Sequence, residues 1–313
     1  MKSVVTGGAG FIGSHLVDAL AERGDEVLVL DDLSSGKREN LAGALEAGAR
    51  LTELDVSDAG AVFEAIGAFE PASVFHLAAQ IDVRRSMADP GFDARLNVVG
   101  TVNVLEGSAR ADASRLVFTS TGGAIYGEGA ERPGELPFAE TSPCEPFSVY
   151  GQSKLAAEGY VDFYGRARDL SGGTLRLGNV YGPRQDPATE AGVVAIFCGL
   201  AREGGRPTVF GTGMQTRDYI HVADVVDGLL AMEGSEESGP VNAGTGVETT
   251  VLELAERIGA LSGRDDFEPE IAPERPGEIE RTVLDTELAA ERLGWRAKRT
   301  IADGLSETLA AEA

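Results

Sequence analysis

The run Tyr150-Gly151-Gln152-Ser153-Lys154, with the hydroxyls of Ser120 and Thr121 upstream, combines a phenol, an amine and an alcohol in a pattern suited to removing a proton from a hydroxyl group. If the run is helical, residues four apart share a face, so the ammonium can lie under the phenol and favour its ionised form. A tyrosine with an ordinary pKa near 10 must approach neutrality to act as a base, a differential stabilisation of roughly 4 kcal/mol. A nearby cation is the kind of cause that supplies it. A Tyr-x-x-x-Lys pair alone carries little information, because solvated pairs at this spacing recur in ordinary helices and contribute only about 0.2–0.5 kcal/mol. The elements that position the pair decide its meaning.

The first of these elements opens the chain. A short apolar strand ending at Val4-Val5 leads into Thr6-Gly7-Gly8-Ala9-Gly10-Phe11-Ile12-Gly13, and a helical pattern follows through His15, Leu16, Ala19 and Leu20. Glycines at 7, 10 and 13 give a G-x-x-G-x-x-G spacing, which suits a tight turn, a backbone close to a pyrophosphate and a helix N-terminus facing the anion. A second strand, Val27-Leu28-Val29-Leu30, ends in Asp31-Asp32, 18 and 19 residues beyond Gly13, where a ribose-binding carboxylate is expected. A carboxylate there accepts from the ribose hydroxyls and repels a 2′-phosphate, so NAD is favoured over NADP, with Lys37 and Arg38 close enough to keep NADP in view.

Composition narrows the classes. The chain has 313 residues, 42% hydrophobic and 6% aromatic, with 41 glycines, enough for a sizeable core and many strand-to-helix turns. Its formal charge of −24 argues against nucleic acid as a partner, since that binding depends on neutralising phosphates. The nearly apolar run Gly192 to Ala201 is too short to span a bilayer, and the early glycines interrupt any secretion signal; a cytoplasmic location without membrane attachment is expected. Cys144 and Cys198 form neither a metal-ligand spacing nor a disulfide framework, and His15, His76 and His221 are too few and too scattered for a metal cluster. No metal is expected, and each histidine is expected to be packed and hydrogen-bonded.

Apolar runs bounded by turns recur at 2–5, 27–30, 51–54, 74–77, 116–118 and 174–177, with helix-like segments between most of them. This alternation predicts an α/β fold with a Rossmann-like, doubly wound parallel sheet. Asp55-Val56, Leu77-Ala78-Ala79-Gln80 and Ser120-Thr121 then fall at strand C-terminal ends, where ligands bind in open α/β sheets. Beyond residue 178 come loops rich in Gly and Pro, at Gly182-Pro183-Arg184-Gln185, Gly204-Gly205-Arg206-Pro207 and Arg275-Pro276-Gly277-Glu278. The expected organisation is a dinucleotide-binding domain over 1–178 and a smaller C-terminal α/β substrate domain over 179–313. The stretch Tyr219 to Leu230 and the run Val241-Asn242 are expected to return to the sheet, so that 219–243 interleaves the two.

The motifs TGGAGFIGSH, LDDLSSG, LDVSD, FHLAAQ, FTSTGGAIYG, YGQSK, LRLGNVYGPRQ, RDYIHVADV and RPGE, in this order, resemble the extended short-chain dehydrogenases/reductases of the NAD-dependent epimerase/dehydratase family, nearly end to end. Among their activities the chain is most similar to the nucleotide-sugar 4-epimerases of the UDP-glucose type. The resemblance implies that Gly7, Gly10, Phe11, Ile12 and Gly13 form the pyrophosphate loop, that Asp31 and Asp32, with Ser35 and Gly36, meet the adenosine ribose, and that Asp55 and Val56 flank the adenine. Leu77, Ala78, Ala79, Gln80, Asn97 and Ser120 would line the rest of the NAD site. Tyr150 would be the base, Lys154 its electrostatic partner and a contact of the nicotinamide ribose, and Thr121 the hydroxyl bridging the sugar 4-OH and the phenol.

On the substrate side the resemblance implies that Asn179, Val194, Arg217, Arg275 and Glu278 meet a UDP-sugar. Arg176 and Arg184 are expected to be surface ion-pair partners instead. The implied reaction is 4-epimerisation of a UDP-hexose through a 4-keto intermediate, with NAD regenerated in each cycle and retained. Gly122-Gly123 after Thr121 depart from the Asp-Glu of sugar 4,6-dehydratases, and the Glu of sugar-acid decarboxylases is lacking there too. UDP-glucuronate and UDP-N-acetylhexosamines remain alternatives, the second because Thr282 is small where a bulky residue restricts the sugar pocket in some relatives. A non-epimerising reductase and an NAD-binding sensor without turnover are the competitors of other kinds. The segments 97–109 and 150–168 resemble the helices through which relatives dimerise, so a homodimer is expected.

Overall fold

The computed structural model describes residues 1–187, 192–275 and 278–311; Pro276 and Gly277 of the Arg275–Glu278 loop lie outside them. Seven strands form one parallel sheet: β1 Lys2–Thr6, β2 Glu26–Asp31, β3 Arg50–Glu53, β4 Ser73–His76, β5 Arg115–Thr121, β6 Ser171–Leu177 and, later in the chain, Pro240–Ala243. Between β6 and that last strand come β7 Asn179–Tyr181, β8 Thr208–Phe210 and β9 Thr216–His221, which makes Pro240–Ala243 β10; β11 Glu248–Thr250 and β12 Glu270–Ala272 follow. The order across the large sheet is β10-β6-β5-β4-β1-β2-β3, with every pair parallel.

A parallel sheet is covered on both faces, so its strands read as continuous apolar runs instead of alternating ones. Val4, Val5, Val74, Phe75, Leu116 and Val117 are accordingly all fully buried. On one face, Val5, Val29, Val117 and Leu175 pack with Leu16 and Leu20 of helix Phe11–Glu22, Leu229 of helix Val222–Glu233, and Trp295. On the other, Val4, Leu30, Val74 and Phe118 pack with Ile66, Leu105 and Val161 from helices Ala59–Phe69, Gly100–Arg110 and Val149–Ala167. Truncating one such leucine to alanine typically costs about 2–5 kcal/mol. The direction of winding reverses between β1 and β4, and the crevice at their C-terminal ends is where an open α/β sheet binds its ligand.

Residues of the predicted return segment part company. Val241-Asn242 lies in β10, hydrogen-bonded beside β6 with Val241 opposite Leu175, and helix Val222–Glu233 packs on the large sheet. Tyr219–His221, however, belongs to a three-stranded sheet of order β11-β9-β7. The reason lies at Gly178, where the chain leaves β6: a Cβ there would sit 2.7 Å from the Asp218 carbonyl, so β7 turns away from the large sheet and pairs with β9. This small sheet, the β12-β8 pair and helices Val193–Glu203, Val251–Leu261 and Ile301–Ala310 enclose a separate core around Phe197, Tyr219, Leu254, Ile258 and Leu305.

Candidate active site

β1 delivers the chain into the glycine loop at the winding reversal. Gly7 has φ +67° and a Cβ there would lie 2.6 Å from the Ala78 nitrogen; one on Gly13 would lie 2.1 Å from the Gly7 carbonyl oxygen. Only backbone without side chains can turn this tightly. Gly10 is the N-cap of helix Phe11–Glu22 and offers no side-chain cap, so first-turn N–H groups at the cleft are left for an anion. These loop positions, with a carboxylate at the end of β2, form a cradle that fits a dinucleotide.

Asp31 is buried and does two jobs. Its carboxylate accepts from the Ala9 and Leu33 N–H groups, both at 2.9 Å, fixing the glycine loop to the next one while still bordering the cleft. Burial pushes its carboxyl upward, and the two N–H donors oppose the shift. Asp32 is exposed and accepts from Ser34; Ser35 borders the cleft, whereas a Cβ on Gly36 would lie 2.9 Å from Ala9. Asp55 and Val56 form the facing wall, and Leu77, Ala78 and Ala79 also border the cleft.

Gln80 and Asn97 stand one layer behind. Asn97 donates to the Gln80 carbonyl and accepts from its N–H, both at 2.9 Å, and both side chains donate to buried Asp93. Asn97 reaches this position from a π-helical turn, Arg95–Val99, a local widening common at functional sites. Asp93 had no signal in the sequence. Neither had the part played by His76, whose ring bridges Thr6 at 2.7 Å and Thr101 at 2.9 Å beneath the cleft.

Ser148 caps helix Val149–Ala167 by accepting from Gly151, and Tyr150 and Lys154 project into the cleft from its first turns. The Lys154 ammonium donates to the Thr119 carbonyl at 2.8 Å and lies 4.7 Å from the centre of the Phe118 ring. Burial pulls it down to about 8, against the raising effects of Asp93 and Glu158. The depression expected of Tyr150 does not arise from this chain's own groups. Burial pushes the phenol up to about 12; a hydrogen bond with Thr121 lowers it and the charge of Asp93 raises it further. The ammonium is drawn toward a strand carbonyl, and the phenol by itself stays protonated. Ser120, also bordering the cleft, has a buried hydroxyl oxygen without a partner, a position that suits a further ligand contact.

The residues expected on the substrate side gather on the smaller lobe. Asn179 opens β7 with its amide oxygen 3.1 Å from where a Cβ on Gly123 would be, beside the turn that follows Thr121. Arg217 on β9 donates to the Thr216 carbonyl at 2.8 Å and lies 4.0 Å from the Glu278 carboxylate, with burial lowering its pKa. Arg275 lies over the Phe210 ring at 3.5 Å. Val194 is buried in the core of the small lobe, and Thr282 is buried beside Thr216. Arg184 pairs with Asp18 at 2.7 Å. Arg176 pairs with Glu158 at 2.7 Å, but both are buried, so the expected surface pair is an interior one.

The model of the NAD dependent epimerase/dehydratase family matches residues 3–244. A UDP-glucose 4-epimerase of Mycolicibacterium smegmatis is 44% identical over 311 residues, which cover 99% of this chain and 97% of that protein. Among solved structures, the UDP-glucose 4-epimerase of Thermotoga maritima with UDP-glucose superposes with a TM-score of 0.94 at 42% identity, over 99% of this chain and 97% of that one. The Thermus thermophilus UDP-glucose 4-epimerase in complex with NAD gives 0.91 at 41%, over 99% and 98%.

Proposed function

Since this chain belongs to the NAD dependent epimerase/dehydratase family, we propose that it interconverts UDP-glucose and UDP-galactose by inverting C4. The observation that carries the reading is that Tyr150 and Lys154 line the same cleft as the glycine loop and Asp31, with the Tyr150 phenol hydrogen-bonded to the Thr121 hydroxyl. NAD, held by the glycine loop and Asp31, would supply reversible hydride exchange at the sugar C4 and, in its oxidised form, a positive charge at the site. Tyr150 accepts the C4 hydroxyl proton, directly or across Thr121, and returns it in the second half. Lys154 supplies the fixed positive charge that favours the phenolate. The two cations share the task of bringing a phenol at about 12 down to the working range.

Holding the cofactor falls to the glycine loop and first-turn N–H groups for the pyrophosphate, Asp31 and Asp32 with Ser35 and Gly36 for the ribose, Asp55 and Val56 for the adenine, and Ala78, Ala79 and Ser120 toward the nicotinamide. Gln80 and Asn97 act through the backbone they tie. Arg217 and Arg275 suit bidentate contact with a diphosphate, with Asn179 beside them, whereas the Glu278 carboxylate suits the hydroxyls of the uridine ribose and Val194 backs the site from the small-lobe core. The neutral hexose is favoured over UDP-glucuronate because Arg184, the cation available for a sugar carboxylate, is engaged by Asp18. Exposed Val99, on the π-helical turn Arg95–Val99 that runs into helix Gly100–Arg110, and Tyr160 and Phe163 on helix Val149–Ala167 support a homodimer through those faces, which light scattering tests directly. Free Cys144 and Cys198, with no helix among the described residues long and apolar enough to cross a membrane, fit a cytoplasmic protein.

The deciding experiment incubates the purified protein with UDP-galactose and no added cofactor, following UDP-glucose by chromatography beside a Tyr150→Phe control. Conversion by the wild type alone supports both the reaction and retained NAD. No conversion even with NAD supplied overturns the neutral-hexose reading and moves the search to UDP-N-acetylhexosamines, for which the small Thr282 leaves room, and then to the sensor.

A further inference from the structure

Tyr150, Lys154 and Glu158 are spaced four apart, so they form one stripe along helix Val149–Ala167. The stripe is anchored on adjacent strands. Lys154 donates to Thr119 of β5, and Glu158 receives Nε at 3.1 Å and Nη2 at 2.7 Å from Arg176 of β6. Arg176 stands directly opposite Ser120 in the β5-β6 register, with Leu177 opposite Thr121. Its remaining nitrogen, Nη1, donates to the Tyr126 hydroxyl at 2.8 Å. Tyr126 ends the short turn that begins immediately after Thr121, and its own hydroxyl donates to Asn242 of β10 at 2.7 Å. One planar guanidinium therefore holds both the helix bearing the phenol and the turn into which Thr121, the last residue of β5, leads.

Resting on the epimerase reading above, we infer that Arg176, with Glu158 and Tyr126, is a positioning residue that sets the separation of the Tyr150 and Thr121 hydroxyls. A buried ion pair is weak evidence for stability, because well-packed apolar residues often do as well. What the guanidinium adds is geometry: a rigid fork with separate donors for two elements. Lysine keeps the charge and cannot span both. Asn242 extends the same frame, its side-chain amide donating to the Phe138 and Asp285 carbonyls.

The test compares wild type, Arg176→Lys and Tyr126→Phe by crystal structure and by steady-state kinetics with UDP-galactose. In Arg176→Lys the Tyr150–Thr121 hydroxyl contact should lengthen, and kcat should fall on the order of 10- to 100-fold with KM held within about twofold, the pattern of a displaced reacting group. Tyr126→Phe leaves the Glu158 pair intact and frees only the turn; it should lower kcat less, again at constant KM, and it serves if the lysine variant does not fold. A Tyr150–Thr121 contact unchanged in both crystal structures overturns the inference whether or not the protein turns over UDP-galactose. Equal losses in kcat and rises in KM, tracking lowered thermal stability, would also overturn it by reducing the network to a structural one. Failure of the wild type to convert UDP-galactose bears on the proposed function alone, because the structural comparison stands without turnover.

Discussion

Protonating His76 should carry a large stability penalty. Its Nδ1 bridges Thr6, its Nε2 bridges Thr101, and its ring stacks on Phe118 with no exposure. Thr101 donates its own hydroxyl hydrogen to the Asn97 carbonyl at 2.6 Å, so His76 Nε2 must be the donor to Thr101 and Nδ1 the acceptor from Thr6. The neutral ring is thereby written into the network, and burial pulls its pKa to about 3 from an ordinary 6.5. Between those values the unfolded chain binds the proton and the folded one does not. The stabilisation is thus complete above pH 6.5 and is lost as the pH falls toward 3. Linkage over this interval makes the protein about 2 kcal/mol less stable at pH 5 than at pH 7 through this residue alone. His15 and His221 are also lowered by burial and act in the same sense. Buried Asp31 and Asp218 and half-buried Glu140 are raised and act in the opposite one. All five are retained in His76→Gln, so the difference between wild type and variant isolates His76. Urea unfolding of both at pH 5 and pH 7 measures it: the gap between the two proteins should narrow by about 2 kcal/mol at the lower pH. A gap that stays constant refutes a neutral, buried His76.

Tyr150→Phe should reduce kcat by about 10²- to 10⁴-fold with thermal stability nearly unchanged, as measured by chromatographic turnover and a melting curve. Gly13→Ala introduces a Cβ 2.1 Å from the Gly7 carbonyl oxygen and should yield protein that releases little or no NAD on denaturation, against a stoichiometric amount from the wild type. With a formal charge of −24, raising KCl from about 0.05 to about 1 M shortens the screening length from above 10 Å to about 3 Å and should raise the melting temperature by several degrees. An unchanged melt would mean that the acids are already compensated locally by pairs such as Arg299 with Asp224 and Glu307.

Continuous apolar runs made five strands of the large sheet readable in the sequence, since strands buried on both faces cannot hide their hydrophobicity; β3, an exposed edge strand, was marked only by Leu51 and the Leu54 that follows it. The glycine spacing exposed the cradle for the same kind of reason: backbone contact forbids side chains at Gly7 and Gly13. The surroundings of Tyr150 were less legible, because the four-residue spacing gives a shared helix face but not the direction of a long side chain, and Thr119 offers Lys154 a carbonyl. Asp93 and Arg176 were illegible as parts of the site. Asp93 meets Gln80, 13 residues earlier, and Arg176 meets Tyr126, 50 residues earlier on another element, and no local pattern reports such a meeting. The small lobe was hardest to resolve, its three-residue strands β7, β8, β11 and β12 being too short to show a period.

The seventh strand has a bearing on how such a chain could evolve. Residues 240–243 cover the edge of β6 only after the polypeptide has passed through β7, β8 and β9. A recombination event that joined residues 1–178 to an unrelated partner would leave β6 as an open edge, prone to pairing with other chains, and would strip Tyr126 of Asn242. New specificities are therefore more accessible through changes in the short loops of the small lobe than through exchange of that lobe as a cassette, and inheritance of the two halves is coupled by the path of the backbone itself.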